Sequence, residues 1–347
     1  MARISRRQVL AGLIAGAAAP SFSPAFAQTA PPPQTFAWRN VNVRADVFTG
    51  FQISDPTKRE FGPLSFMNGL ELRGDVPEFG GLSSAIIGPD GAGFIAITDH
   101  AHWVTGRLVA DAIGYLTGME NVRISAMQAP NGRRMKDTRF FDSEGLTRIG
   151  NRLYVSVERI HQIVRFELGP NGPGGRGVVM QSPEGFRGQK SNQGIEALGV
   201  MPASSRHAGS FIAIAERAPP NAESDAIPGW LFGGAQPGRF SVRRKNDFDV
   251  TDLGFLPGGD LVILERHYSL LWGAAFRLRR VPLQSIAPGA TLDGETLIEA
   301  NMAYHVDNME ALMIHHAADG RVIFTLMSDN NFSVLQRNLV LRFAYRE

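Results

Sequence analysis

Carboxylates recur in this chain at two kinds of place. Glu144, Glu196, Asp252 and Glu310 stand just before leucines that open apolar runs, in Asp142-Ser143-Glu144-Gly145-Leu146, Asn192-Gln193-Gly194-Ile195-Glu196-Ala197-Leu198, Asp249-Val250-Thr251-Asp252-Leu253 and Asn308-Met309-Glu310-Ala311-Leu312. Asp99, Glu158, Glu216, Glu265 and Asp329 close the apolar run that follows each opening. So many oxygen donors suit a hard divalent cation, and calcium takes about 6–8 of them. Arginine follows three of the closing acids, as Arg159, Arg217 and Arg266. A cation and arginines together can clamp phosphoryl oxygens during attack on an ester. This reading assigns Glu144, Glu196, Glu310 and Asp329 to catalysis. It gives Asp99, Glu158, Glu216, Asp252, Glu265 and Asn330 to the cation, and Arg159, Arg217, Arg266 and His100 to a small anionic, possibly phosphorylated substrate.

Repetition decides how such groups would be positioned. Phe79-Gly80-Gly81-Leu82 opens a first copy without an acid, and the opening leucines then fall at Leu82, Leu146, Leu198, Leu253 and Leu312. The period slightly exceeds the ~20–50 residues of solenoid and propeller repeats, leaving room for loops. Within each copy the segments are short and rich in β-branched and aromatic residues, as in Arg152-Leu153-Tyr154-Val155-Ser156-Val157, which favours strands over helices. Turn signals such as Pro89-Asp90-Gly91, Gly150-Asn151 and Asp319-Gly320 separate them. Four strands per period predict an all-β fold, a β-propeller of antiparallel four-stranded blades. Five blades account for residues 79–345, the last one strand short, and Leu64–Arg73 is placed to supply it. Six blades, with residues 36–73 contributing more, is the alternative.

In a blade the start of the innermost strand and the end of the next share one end. All nine carboxylates are therefore expected at one mouth of the channel. The competing reading makes them struts that bond backbone N–H groups of neighbouring blades, each worth about 1.5–3 kcal/mol. His100 and His102 would share a face on an extended segment. Residues 133–139 form a candidate anion clamp, and 218–247 either a lid or, with Trp230-Leu231-Phe232, an outer strand of blade three.

Ser5-Arg6-Arg7-Gln8-Val9-Leu10, an apolar run to Ala19 and Ala25-Phe26-Ala27 have the layout of a twin-arginine leader. Residues 1–27 are read as signal peptide, 28–35 as a flexible tail and 36–347 as one propeller domain. Export to the periplasm or beyond, with cleavage near Ala27, follows, as does engagement of the twin-arginine machinery. The run is too short for the ~20 residues that span a bilayer, so no stable membrane insertion is expected. The leader carries Arg3, Arg6 and Arg7 and no acid, so its removal takes the formal charge from +2 to −1. That balance argues against nucleic acid as a partner. Cysteine is absent, which excludes thiolate chemistry.

With Gly80-Gly81-Leu82-Ser83, Asp142-Ser143-Glu144-Gly145-Leu146, Asn192-Gln193-Gly194-Ile195-Glu196-Ala197-Leu198, Leu264-Glu265-Arg266 and Ser328-Asp329-Asn330-Asn331-Phe332 in order, the chain resembles the phytase-like family with esterase-like activity. The resemblance implies hydrolysis of phosphoesters or other esters, with the repeated acids as the active groups. No Gly-x-Ser-x-Gly elbow supports a serine hydrolase. A non-catalytic binding propeller and a calcium-dependent lactonase-like hydrolase are the remaining alternatives.

Overall fold

The computed structural model describes residues 36–186, 193–219, 226–269 and 273–347. The leader, the tail, Asn192 and part of the candidate lid lie outside these residues. Helix among the described residues is confined to short 3₁₀ turns, and the rest of the regular structure is strand. Five antiparallel sheets form a five-bladed β-propeller, so the six-bladed alternative falls away.

The inner strands are Leu82–Ile87, Ser143–Ile149, Ile195–Val200, Asp249–Phe255 and Asn308–His316. Each is followed outward by the antiparallel second strands Gly93–Thr98, Arg152–Val157, Phe211–Ala215, Leu261–Ser269 and Val322–Asp329. Burial explains why these segments become strands. From Leu153 to Val157 every residue is buried, because both faces of a blade pack on neighbours. Tyr154 and Phe211, for example, meet edge-on at 4.8 Å across the blade two–three interface.

Closure follows the expected route. Asn338–Tyr345 pairs on one side with Val322–Asp329 and on the other with Leu64–Gly74, so one blade contains both early and late chain. Val43–Phe48 adds beyond Leu64–Gly74 instead of starting a sixth blade. Arg39–Asn40 likewise caps the outer strand of blade one. Phe51, Phe66 and Phe343 lock the seam, with Phe51 edge-on to Phe343 at 5.2 Å.

Ile227–Phe232 is the third strand of blade three and Trp230 is buried, so Trp230-Leu231-Phe232 serves as strand rather than lid. Every inner strand also carries a β-bulge near its start. The register breaks between Leu82 and Ser84, Ser143 and Leu146, Ile195 and Ala197, Val250 and Asp252, and Met309 and Ala311. The bulged residues are Ser83, Glu144, Glu196, Thr251 and Glu310. A bulge adds an unpaired residue and re-aims its side chain, which is how glutamates on inner strands come to face the channel.

Candidate functional site

Pairing registers sort the mouth into tiers. The residues just past the last inner–second strand pair before the bulge are Asp99, Glu158, Glu216, Arg266 and Asp329. The bulged residues form a deeper tier. Together they enclose a cavity of about 190 Å³ lined by Ser83, Asp99, Asp142, Glu144, Glu158 and Glu196, and by Glu216, Arg266, Asn308, Glu310, Asp329 and Asn331.

Seven of the nine expected carboxylates therefore meet, and the two that do not, Asp252 and Glu265, both belong to blade four. In that blade the register stands one residue off the expectation, and a slip of one residue flips a side chain to the other face. Thr251 takes the glutamate position and donates its hydroxyl to the Met309 carbonyl of blade five at 3.1 Å. Asp252 lies below the cavity, where it accepts the N–H groups of Leu253 and Leu312 at 2.9 and 2.8 Å. Glu265 points away, fully buried, and its carboxylate receives Arg277 Nε at 2.7 Å and Arg279 Nε at 2.8 Å. Asp252 acts as a strut to blade five and Glu265 as the centre of an arginine pair within its own blade, so neither is a cation ligand at the mouth. Arg266 occupies the rim position that the other blades give to an acid. In blade one, Ser83 stands at the glutamate position.

Arg266 holds much of the cavity's charge in balance. Its guanidinium lies 3.4 Å from Glu216, 3.2 Å from Glu310 and 3.0 Å from the Asn308 amide oxygen. Those acids hold it protonated against the cost of burial. Arg159 and Arg217 sit outside the lining. Arg159 pairs with Asp142 at 2.8 Å and lies over the Phe141 ring. Arg217 bridges Glu216 and Asp249, and Arg244 holds the other Asp249 oxygen at 2.8 Å.

The carboxylates themselves are strongly perturbed. Burial and then the neighbouring Asp329 push Asp99 up to about 7. Burial above all raises Glu158 to about 7, Asp329 to about 6 and Glu310 to about 8, with nearby acids adding to the rise. Glu144 and Glu196 are driven well above the carboxylate range by burial and by surrounding glutamates. Glu158 accepts the Gly194 N–H at 3.1 Å, and Asp329 the Asn331 N–H at 2.6 Å. Among the described residues, no hydrogen-bond donor reaches the carboxylates of Glu144 or Glu196, although Glu196 is only 6% exposed.

Oxygens of Asp142, Glu144 and Glu158 come within 4.8 Å of one another, and so do those of Glu158, Glu196 and Glu216. The donors are all carboxylates, so they fit a hard cation, and Glu158 is common to both groups. Asn330 is committed elsewhere. Its Oδ1 accepts the N–H groups of Gly81 and Phe332, and Asn331 faces the cavity in its place. His100 stacks on Phe332 at 4.2 Å, with its Nδ1 3.4 Å from Lys136 Nζ. Ala101 takes a left-handed turn, so His100 and His102 do not share a face, and His102 is buried. In the 133–139 segment Arg134 pairs with Asp137 and Arg139 lies over Phe140, while Lys136 acts electrostatically on Asp99 at the mouth. Asp142 and Ser83 are lining residues that the sequence did not single out for the site. The acid two residues before Glu144 was the available signal for the first.

A family described as phytase-like, with the esterase-like activity of phytase, matches residues 77–332. No curated protein sequence matches the chain. Solved structures with similarity include glutaminyl cyclase from Myxococcus xanthus, at 13% identity and TM-score 0.43, covering 82% of this chain and 97% of that one. The PQQ-bound aldose sugar dehydrogenase of Streptomyces coelicolor matches at 11% identity and TM-score 0.41, covering 82% of this chain and 99% of that one.

Proposed function

This chain belongs to the phytase-like family, and from that premise we propose that it is an exported, cation-assisted hydrolase of phosphoesters or related esters. One observation carries the reading: Glu196, buried and without a donor among the described residues, shares a carboxylate cluster with Glu158 and Glu216. A carboxylate in this crowded cavity with no protein donor is answered by a proton, by water or by a cation, and the acids around it favour a proton or a cation. The oxygen-only donors suit calcium or a similarly hard ion.

A cation held there would polarise the phosphoryl or carbonyl oxygen and stabilise the charge that develops on it. The chain's own groups do the rest. Arg266, at the blade-four edge, orients the anionic group of the substrate by charge-assisted hydrogen bonds. Asp329 and Glu310, on one blade and raised to about 6 and 8, divide the proton work. Asp329 as carboxylate takes a proton from the attacking water, and Glu310 as acid delivers one to the departing alcohol oxygen. Arg159 and Arg217 hold the surrounding rim acids in place.

The test is turnover of phosphomonoesters, phosphodiesters and lactones by the purified protein, with calcium and with chelator. Cation-dependent hydrolysis is expected, with Glu196→Gln and Glu158→Gln each losing about 100-fold or more. Absence of cation-dependent turnover on every ester class would overturn the proposal.

A further inference from the structure

The central cavity is too small for a whole organic ester. Its volume of about 190 Å³ compares with ~300–1,000 Å³ for pockets that enclose small molecules. A cation and one phosphoryl or carboxyl group would fill it. A second cleft, of about 440 Å³, lies on the other side of the Asn330–Phe332 segment. Phe79, Leu72, Phe332 and Val334 contribute its apolar wall, and Glu71, Arg73 and Arg337 its charged one. The two spaces share a partition, because Asp329 and Asn331 line the first while Asn330 and Phe332 line the second.

That partition is built with care. Asn331 and Phe332 both have φ near +50°, unusual for a bulky residue such as Phe. Asn330 holds them there by accepting the Phe332 N–H at 3.2 Å, and it accepts the Gly81 N–H of blade one at 3.1 Å. Gly81 is required at φ +60°, since a Cβ there would lie 2.2 Å from Asp99 and 2.4 Å from the Phe332 ring. Beyond the partition, Val334 and Leu335 are 100% and 89% exposed, so they contribute nothing to the core. Val334 lines the cleft, and an apolar occupant there would cover it.

We propose that the cleft bounded by Phe79, Phe332 and Val334 binds the apolar alcohol portion of the substrate whose ester group enters the acidic cavity. The inference rests on the hydrolase reading above. It assigns Phe332 and Val334 to leaving-group selection: the substrate lies over the outer edge of the partition, with its ester group in the cavity and its organic part in the cleft.

Two measurements on the calcium-loaded protein separate this inference from its premise. The first is the ratio of kcat/KM for 2-naphthyl phosphate to that for methyl phosphate. The aryl ester is favoured already by its better leaving group, so the change is what reports the cleft: the ratio should fall about ten-fold in Val334→Asp/Leu335→Ser, a variant that folds because both positions are exposed. The second is calorimetric binding of non-hydrolysable 2-naphthylphosphonate, compared with inorganic phosphate. The phosphonate should bind more tightly to the wild type and lose that advantage in the variant. Failure of both esters to turn over would overturn the hydrolase reading alone, and the calorimetry would then decide the cleft. Equal phosphonate affinity in wild type and variant, or no phosphonate binding by the wild type, would overturn the cleft assignment.

Discussion

A folded protein gathers Glu144, Glu158, Glu196 and Glu216 in one cavity only if their charge is answered. Without a cation the answer is protons, and the consequence for stability has a definite sign. Asp329, Asp99, Glu158 and Glu310 have folded pKa values of about 6, 7, 7 and 8, above their ordinary values. Their stabilising protons are fully bound below the unfolded values and are lost as pH rises through the folded ones. Buried His102 and half-buried His315, both depressed to about 4, act the opposite way, gaining stability as pH rises toward 6.5. The acids therefore dominate between pH 6.5 and about 8.5. In chelator the melting temperature should fall across that window. Saturating calcium should flatten the fall, since a ligand at 100 times its Kd adds about 2.7 kcal/mol. A melting temperature that stays level with pH in chelator would contradict the account.

At the scale of the strand, the deciding device is the bulge. Blade four shows what one residue of register does: it buries Glu265 between Arg277 and Arg279 and delivers Arg266 to the rim. Arg266→Gln should leave Glu216 and Glu310 without their shared counter-charge, costing about 3–5 kcal/mol in chemical denaturation. The loss should be larger at pH 8.5 than at pH 6. Arg159→Gln, whose side chain is 48% exposed in its pair with Asp142, should cost at most about 1 kcal/mol. Equal costs would show that Arg266 is not the charge that balances the cavity. The same strand explains what could be read in advance. Repeat spacing located five inner strands, and the topology of a blade brought seven carboxylates to one mouth. Asp249-Val250-Thr251-Asp252 offers two acids around a bulge, and only the pairing of Val250 with Glu265 shows that neither fills the glutamate position. Asn330 and Asn331 were equally ambiguous, because two left-handed residues after Asp329 reverse which amide faces inward.

For the whole molecule, the order of the chain governs how the ring holds its site. Four blades are each built largely from a contiguous stretch, but blade five needs Leu64–Gly74 to cover Asn338–Tyr345. Leu70 and Leu341 on these strands are fully buried, so the seam is packed as tightly as any blade interior. Blade five also carries Glu310, Asp329 and the partition beside the cavity, which makes the seam a support for the site. Removing residues 1–74 would bare the edge of Asn338–Tyr345, and an unpaired apolar strand edge recruits other chains. The truncated protein should aggregate and lose both its cooperative melt and its cation response. A synthetic peptide spanning residues 60–76, added in trans, should restore part of both by adding its strand to that edge. If the truncated chain melted cooperatively on its own, closure by this strand would not be what holds blade five, and the cavity's two proton-handling acids would have to be fixed by their neighbours in blades one and four.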